Sequence, residues 1–290
     1  MELRLSFCDC NTLITEVNII DRRPIRENMD KQSQSNTTNP FVLTLVHFLG
    51  FIMAAPTLAE IMQELESRGT PSTKKTFMRH GAPEPFFGVK IGDLKPLQRM
   101  LKGQQQLAME LYATKNSDAM YLAGLIADGS KMTRKQLDQW AKESTWHMIS
   151  GCSVSWVASE HPDAFEIAKK WIDSPKELVA TSGWSTLSAV VATRPDNELP
   201  ISEIGELLAR CIKTMKQSQN RVRYAMNGFV ISVGTYVAPL ADQAIETARK
   251  IGAVEVDMGD TECKIPDAES YIVKSRRGAA VAPKRKTTRC

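Results

Sequence analysis

The sequence predicts an all-α fold in which antiparallel helix pairs stack in chain order into a solenoid. From Thr57 onward the apolar residues recur with a helical period, in segments of about 10 to 19 residues separated by glycine, proline or short polar connections. Successive helix pairs lie about 35–45 residues apart, and no Rossmann or P-loop glycine pattern interrupts them. So many similar helices in sequence order cannot all share one core. The pattern therefore favours a HEAT-like α-solenoid over a compact helical bundle, which is the alternative.

The first helices are indicated by their caps and stops. In TLAEIMQELESRG, Thr57 is the expected N-cap with Glu60 three residues later, and Gly69 is the expected stop. PSTKKTFMRHG follows as a short second helix. A proline-bounded entry then leads to a third helix, which we expect to begin at a cap on Asp93 and to end at Gly103.

Amphipathic segments continue along the rest of the chain. In order they are QQQLAMELYATK, SDAMYLAGLIADG, TRKQLDQWAKES, residues 146–159, PDAFEIAKKWIDS, PKELVATSGWSTLSAVVAT, ISEIGELLARCIKTMK, NRVRYAMNGFVISVGTYV and PLADQAIETARKIG. Only GAVEVDMGDTECKIPDAESYIV departs from the helical period, because Val254 and Val256 alternate with acids. It predicts either a short strand or an extended wrap before a last helical turn.

Three parts follow from composition. Residues 1–52 include the polar stretch MDKQSQSNTTNP and are expected to be disordered or to be an extension upstream of a true start at Met53. The apolar run 41–55 is shorter than the roughly 20 residues that a membrane span needs, so we expect no membrane contact. Residues 53–273 are the expected helical repeat domain, and residues 274–290 form a basic tail expected to be disordered.

Charge is concentrated in that tail. The net charge is +4, and seven bases without an acid lie in residues 274–290, so the other 273 residues carry −3. A polyanionic partner must then be met by a one-sided basic surface, by the tail with Lys284, Arg285 and Lys286, or by both.

The cysteines point to a reducing compartment and to no metal. The six cysteines are scattered without a C-x-x-C pair, and the four histidines add no zinc-ligand spacing. We expect a cytoplasmic protein without metal or cofactor, in which most cysteines are small apolar filler.

Specific segments resemble a known family. HGAPEPFFGVKIGDLKPLQRM (80–100), DAMYLAGLIAD (118–128) and ESTWHMIS (143–150) are similar to the bacterial DNA alkylation repair proteins, the AlkD-like alkylpurine DNA glycosylases. The segment VEVDMGDTECKIPDAESYI before the basic end resembles one branch of that family. The resemblance runs from about residue 57 to the C-terminus and excludes the first 52 residues.

The resemblance implies a fold and a function. The family's fold is a C-shaped, right-handed superhelix of helix pairs with a basic concave groove that holds duplex DNA. Active members remove N3- and N7-alkylated purines without the base flipping that is usual among glycosylases. They use an aromatic pair, an aspartate one turn after the first Trp, and an arginine that binds phosphate.

Transferring these positions leaves gaps in the chemistry. Trp146 matches the first cleft Trp, but Ser150 stands where the aspartate is expected one turn later. The arginine position falls on Thr181, with Trp184 nearby, and the second cleft aromatic corresponds to Phe229. A serine dipole replaces little of the stabilisation that a carboxylate gives a developing cation. The sequence therefore leaves two possibilities open. The protein excises N3- or N7-alkylated purines, or it has no enzyme activity.

Other charged residues are candidates for the site, and each of them also has a purely structural explanation. Glu143 precedes Trp146 by three residues and is a substitute acid or a solvated charge at a helix start. Arg221 and Arg223 oppose the dipole of their helix, which phosphate contact or a salt bridge would explain. Lys74 and Lys75 form a further phosphate row or a solvated face.

Two functions are predicted from different classes. The first is a monomeric DNA-binding HEAT-like protein that holds double-stranded or damaged DNA in its groove, with Trp146 and Phe229 facing the cleft. The second is an inert solenoid that serves as a protein-interaction scaffold.

Overall fold

A computed structural model describes residues 55–289, and over that range the chain is all-α. The expectations for residues 1–52 concern a segment outside the described residues. Within this range an isolated antiparallel bridge joins Gly69 and Val89, and no strand forms. None of the helices in residues 55–289 is long and apolar enough to cross a membrane.

The helices follow the predicted segments closely. They are α1 (Leu58–Arg68), α2 (Pro71–Arg79), α3 (Ile91–Met100), α4 (Gln105–Ala113), α5 (Ser117–Ile126), α6 (Arg134–Glu143), a π-helix (Ile149–Val154) that continues directly into α7 (Ser155–Ser159), α8 (Ala164–Trp171), α9 (Glu177–Thr193), α10 (Ile201–Thr214), α11 (Asn220–Tyr236), α12 (Ala241–Ile251) and α13 (Ala268–Arg276). Short 3₁₀ turns lie at Gly129–Lys131, Asp196–Glu198, Met215–Gln217 and Ala238–Leu240.

The observed helix ends show which local sequence signals were sufficient to predict where a helix begins or ends. Thr57 and Glu60 form the predicted capping box, and Gly69 ends α1. The predicted cap at Asp93 is wrong, because α3 already begins at Ile91 and Asp93 lies within its first turn. A carboxylate there still interacts favourably with the positive end of the helix dipole.

The helices form two rows, as expected for stacked pairs. One row, here called the inner row, consists of α5, the π-helix with α7, α9, α11 and α13, each packed on the next. The helices α4, α8 and α12 pack on the inner helices α5, α9 and α11 that directly follow or precede them in the chain. This arrangement buries two apolar clusters, one centred on residues such as Leu111 and Ile149 and the other on Trp184 and Leu208.

Small residues allow the inner helices to approach closely. A methyl group at Gly124 of α5 would lie 2.5 Å from the Cβ of Ser153 in the π-helix. Ser153 is itself fully buried. The mixture of small residues in residues 149–155 is therefore partly a packing requirement, because larger side chains would hold the two helices apart.

Residues 252–267 form an extended wrap rather than a strand. The side-chain amide of Asn220 binds the backbone of Asp257 in both directions, at 2.8 and 2.7 Å. The Asp260 N–H donates to the Arg79 carbonyl at 3.2 Å, so the wrap reaches the end of α2. Gly259 has φ +79°, and a Cβ there would meet the Arg79 oxygen at 2.4 Å. This contact requires glycine.

The basic end differs from the predicted disordered tail. Lys274 belongs to α13, and residues 277–289, here called the strap, lie across the C-terminal ends of α11, α9 and α5. Its backbone donates from Ala282 to the Thr235 carbonyl and from Arg285 to the Ala192 carbonyl, both at 2.8 Å. Carbonyls at helix C-termini lack partners within their own helix, so they accept hydrogen bonds from a basic segment that lies across them. Composition alone gives no sign of these distant acceptors.

Candidate nucleic-acid interface

A pocket of about 890 Å³, partly open to solvent, lies between the π-helix with α7, α9 and α11. Its lining is mainly small and uncharged, including Gly151, Ser155, Ser185, Ala189 and Gly228. These residues follow the helical spacing of three, four or seven on their respective helices, so each helix presents one face to the pocket.

Larger polar groups stand around this lining. His147 lines the pocket together with Tyr224 and Arg221 of α11. Arg285 and Thr288 of the strap also line it. Arg221 acts electrostatically on His147 of the lining, and Arg285 acts on Tyr236 at the end of α11, so the two guanidinium groups lie near different residues.

The imidazole of His147 is neutral at physiological pH. Burial lowers the pKa of His147, and the electrostatic effects of Arg221 and His80 lower it further, to about 3. A neutral imidazole offers one N–H donor and one nitrogen acceptor. It therefore adds no positive charge to the pocket and does not act as an acid at neutral pH.

Two hydroxyl groups in the pocket have no hydrogen-bond partner among the described residues. Thr181 is 3 % exposed and Ser232 is 1 % exposed, and the Oγ1 of the first and the Oγ of the second are both unpaired. Both residues line the pocket. By contrast, the hydroxyl of Ser155 donates to the Gly151 carbonyl at 2.5 Å. Buried polar atoms without partners are rare and call for a specific explanation.

The charge of the lining is one-sided. It includes the side chains of Arg221 and Arg285, and no aspartate or glutamate is among the described residues that line it. The pocket is therefore suited to an anionic or neutral ligand and disfavours a cation.

The predicted orientation of Trp146 is wrong. Its side chain is 4 % exposed and packs in the N-terminal apolar cluster, with its ring centre 5.8 Å from that of Phe77. The side of this helix that faces the pocket carries His147, Gly151 and Ser155 instead. The stripe that faces the pocket is thus displaced by one residue, about 100° around the helix, from the one predicted.

Ser150 and Glu143 do not reach the pocket either. Ser150 is fully buried, and its hydroxyl donates to the His147 carbonyl of its own helix at 3.1 Å. Glu143 forms an ion pair with Lys115 and accepts a hydrogen bond from Gln139 at 3.1 Å. The hydrogen bond from Lys115 lowers the pKa of Glu143, so it is a carboxylate held by a local partner. Glu143 is therefore neither a substitute acid in the pocket nor a solvated charge at a helix start, because it ends α6 and pairs with Lys115 outside the pocket.

On α9 and α11 the structure separates the predicted residues. Thr181 lines the pocket, whereas Trp184 and Phe229 are buried and pack on each other with ring centres 5.3 Å apart. The guanidinium of Arg210 lies 5.7 Å from the Trp184 ring. Phe229 therefore does not face the cleft as predicted, and the aromatic ring of α11 in the pocket belongs to Tyr224.

Four residues of α11 that line the pocket were not predicted, namely Tyr224, Ala225, Gly228 and Ser232. Arg221, Tyr224, Ala225, Gly228 and Ser232 recur at helical spacing and all line the pocket. A stripe of small residues that begins with a base and a phenol differs from the apolar stripe that contains Phe229. This difference within one helix was the available signal.

The predicted bases are distributed over several environments. The Arg221 guanidinium is in the pocket wall and contacts the Met258 sulfur of the wrap at 3.2 Å. Arg223 binds the Asn220 side chain at 3.3 Å and is not part of the lining. Lys74 pairs with Glu84 at 2.8 Å, and Lys75 is exposed.

The three predicted bases of the strap also differ from one another. Lys284 donates to the Val191 carbonyl at 2.8 Å and pairs with Asp196 at 2.7 Å. Arg285 lines the pocket, and Lys286 is exposed. The strap thus contributes one base to the pocket and uses another to fix itself on α9.

The comparison with known proteins decides the family. The sequence matches the family of DNA alkylation repair enzymes over residues 61–266. The chain belongs to this family. Two relatives are the uncharacterized proteins Lin0241 of Listeria innocua and Lmo0209 of Listeria monocytogenes, which are 39 % and 38 % identical over 226 residues. Each alignment covers 76 % of this chain and 97 % of the relative.

A solved structure connects the family to this fold. It is described as belonging to a new family of proteins related to the HEAT-like repeat DNA glycosylases with affinity for branched DNA structures. It has 37 % sequence identity and a TM-score of 0.75, and the match covers 81 % of this chain and all of the other. The predicted HEAT-like fold and the resemblance to DNA alkylation repair proteins are confirmed.

Proposed function

We propose that this protein binds branched DNA and holds it through phosphate contacts at the pocket between α7, α9 and α11. The observation that carries the proposal is the lining itself, which has Arg221 and Arg285 in its wall, small side chains on its floor and no carboxylate among its described residues. Phosphate oxygens bind guanidinium groups in bidentate fashion, and small side chains let a sugar–phosphate backbone approach closely. The affinity for branched DNA that is stated for the structurally similar protein supports the choice of DNA.

Excision of alkylated bases is not the function that we propose. The resemblance implied an aspartate beside the sugar, whereas the corresponding Ser150 is buried with its hydroxyl on its own helix. Among the described residues that line the pocket, His147 alone carries an imidazole, and it is uncharged at neutral pH. The described lining therefore offers neither a carboxylate to stabilise an oxocarbenium-like sugar nor an acid to protonate a leaving base.

A salt titration with one arginine variant tests the proposal. We expect the affinity of the wild-type protein for a four-way DNA junction to fall linearly with salt on logarithmic axes. Arg221→Ala removes one phosphate contact, so it is expected to weaken binding and to reduce that slope by about one. Arg99→Ala is the matched control, because Arg99 is exposed on α3 and does not line the pocket.

Either of two results would retire the proposal. The first is the absence of junction binding at low salt, which would favour the protein-interaction scaffold. The second is an equal loss of affinity in Arg221→Ala and Arg99→Ala, which would mean that binding does not depend on this pocket. Thermal unfolding of both variants is measured in parallel, so that a folding defect is not mistaken for a binding defect.

A further inference from the structure

Part of the space in the pocket is not explained by close packing of the surrounding helices. Gly228 lies in the interior of α11, where glycine is less favourable than alanine. A Cβ at this position would have no atom within 4 Å. Across the pocket, a Cβ at Gly151 would meet its nearest atom, the Ser185 hydroxyl oxygen, at 3.5 Å. These two glycines do not serve close helix packing, in contrast to Gly124, so the space they leave is available to a ligand.

The two unpaired hydroxyls are a second and independent feature. The Oγ1 of Thr181 and the Oγ of Ser232 are buried in the pocket lining without a partner among residues 55–289. They lie on α9 and α11, so they approach the pocket from two helices. A ligand with hydrogen-bonding edges would satisfy them, whereas a purely apolar ligand would not.

The walls of the pocket are suited to a flat ring. His147 and Tyr224 bring an imidazole and a phenol to the lining, and Met148, Trp156 and Ala189 supply apolar contact. Nucleobases stack on aromatic side chains irrespective of their identity, and their edges carry both donors and acceptors. The guanidinium groups of Arg221 and Arg285 in the wall are suited to bind the phosphates on either side of such a base.

The size of the opening limits what enters it. The space of about 890 Å³ includes open solvent, so the volume enclosed by the protein is smaller. The strap supplies Arg285 and Thr288 to the lining. On the side of Arg221 the wrap is bound to the start of α11. An opening of this size, bounded by the strap and the wrap, is too small for a stacked duplex.

We propose that this pocket receives one unpaired nucleobase from the branch point of bound DNA, with its neighbouring phosphates on Arg221 and Arg285. The inference rests on the proposed binding of branched DNA. It adds that recognition of the branch takes place through a base outside the helical stack, because a fully paired duplex presents no such base. Base edges would then meet the hydroxyls of Thr181 and Ser232, and the base plane would lie against His147 or Tyr224.

Filling the pocket with a side chain tests this directly. Gly228→Leu places a side chain in the open space, and Gly92→Leu is the control, because a Cβ at Gly92 also meets nothing within 4 Å and this glycine is exposed on α3 outside the pocket. The substrates are a three-way junction with one unpaired nucleotide at its branch and a linear duplex of equal length. Gly228→Leu is expected to lose about tenfold or more in affinity for the junction, the scale of one lost base stack, and to lose less affinity for the duplex, which offers no unpaired base.

Photocrosslinking locates the base without a variant. The unpaired position of the same junction carries 5-iodouracil, and the crosslinked peptides of the wild-type protein are identified by mass spectrometry. We expect crosslinks at His147 or Tyr224, and none to these residues when the modified base is moved into a paired arm.

The outcomes separate this inference from the proposed function. Junction binding that is unaffected by Gly228→Leu, with crosslinks only outside the pocket, overturns the inference and leaves DNA binding intact. Absence of any binding to the junction overturns both. Equal loss in Gly228→Leu and Gly92→Leu also contradicts the inference, because the control does not touch the pocket.

Discussion

Replacing Arg289 by alanine is expected to destabilise the protein, because this residue fixes the end of the strap. Its guanidinium donates to the Leu125 carbonyl at 3.1 Å, to the Ala127 carbonyl at 2.6 Å and to the Glu160 carboxylate at 2.6 Å. The Arg289 side chain is 15 % exposed and that of Glu160 is 38 % exposed. The arginine therefore holds the strap on the end of α5 and neutralises a half-buried carboxylate.

The magnitude follows from these three contacts. Hydrogen bonds with a charged partner contribute about 1.5–3 kcal/mol each, so the upper bound is about 9 kcal/mol. Two costs offset most of this stabilisation. The guanidinium is buried, which lowers the pKa of Arg289, and a chain end has to be ordered. The exposure of Glu160 reduces the ionic part further. We expect a loss of about 2 kcal/mol in the free energy of unfolding for Arg289→Ala.

The pH dependence of this loss has a definite sign. Burial raises the pKa of Glu160, and Arg289 counteracts the rise. In Arg289→Ala the folded-state pKa of Glu160 rises further above the unfolded value of about 4.3. A raised carboxyl pKa favours the folded state at low pH, and this contribution is lost as pH rises through the folded pKa. The difference between wild type and variant is therefore expected to be largest near neutral pH and to shrink as pH falls toward about 4.

Urea unfolding of the full-length chain measures the effect. Lys286→Ala is the matched control in the strap, because Lys286 is exposed. Glu160→Gln completes a double-mutant cycle and keeps an acceptor for the Gly129 N–H, which Glu160 now accepts at 3.0 Å. If Arg289→Ala lies within about 0.5 kcal/mol of wild type, the range of ordinary surface substitutions, the strap does not hold the fold in this way.

Three further predictions concern single sites. Ser150→Asp is expected to lower the free energy of unfolding by more than about 3 kcal/mol and to produce no excision of N7-methylguanine, because its carboxylate would be buried in the core; abasic-site release by a stable Ser150→Asp protein would contradict this. Gly259→Ala is expected to cost about 2 kcal/mol in thermal unfolding, since it combines φ +79° with a Cβ 2.4 Å from the Arg79 oxygen; an unchanged melting temperature would show that the wrap shifts freely. His147 has a folded-state pKa of about 3, so its contribution to stability is complete above the unfolded value of about 6.5 and falls by about 1.4 kcal/mol per pH unit below it; His147→Gln should flatten the stability profile between pH 6 and 4, and an unaltered profile would show that the imidazole is not buried in its neutral form.

The helices could be predicted from the sequence because their signals are local. The capping box of Thr57 and Glu60, the stop at Gly69 and the apolar periods are read within a few residues of the element they define. Stacking of the inner row also follows from the number and order of these helices, since each must bury its apolar face on a neighbour.

The face of the helix at residues 146–159 could not be predicted in the same way. Both of its stripes mix aromatic and small residues, Trp146 with Ser150 on one and His147 with Gly151 on the other. The π-helix at Ile149–Val154 inserts an extra residue into the turn, which alters the register between the two ends of the helix. Periodicity with a constant 3.6 residues per turn contains no information on such an insertion.

The strap and the wrap were outside the reach of sequence reasoning for another reason. The Arg289 side chain binds the Leu125 carbonyl, 164 residues earlier, and the Asp260 amide binds the Arg79 carbonyl. Backbone carbonyls at helix ends carry no residue-specific signature, so a basic segment looks solvated until its acceptors are located in space. The choice between Phe229 and Tyr224 depended likewise on the rotation of α11 against α9.

A competition experiment tests the central claim most directly, namely that this chain recognises branched DNA. A labelled three-way junction with one unpaired nucleotide at its branch is bound by the full-length protein at fixed salt and displaced by the same unlabelled junction or by an unlabelled linear duplex of the same length and composition. We expect the junction to compete at a concentration at least about tenfold lower than the duplex, corresponding to about 1.4 kcal/mol of preference. Equal competition by the two DNAs would contradict the claim, because contacts to phosphates alone do not distinguish a branch from a duplex.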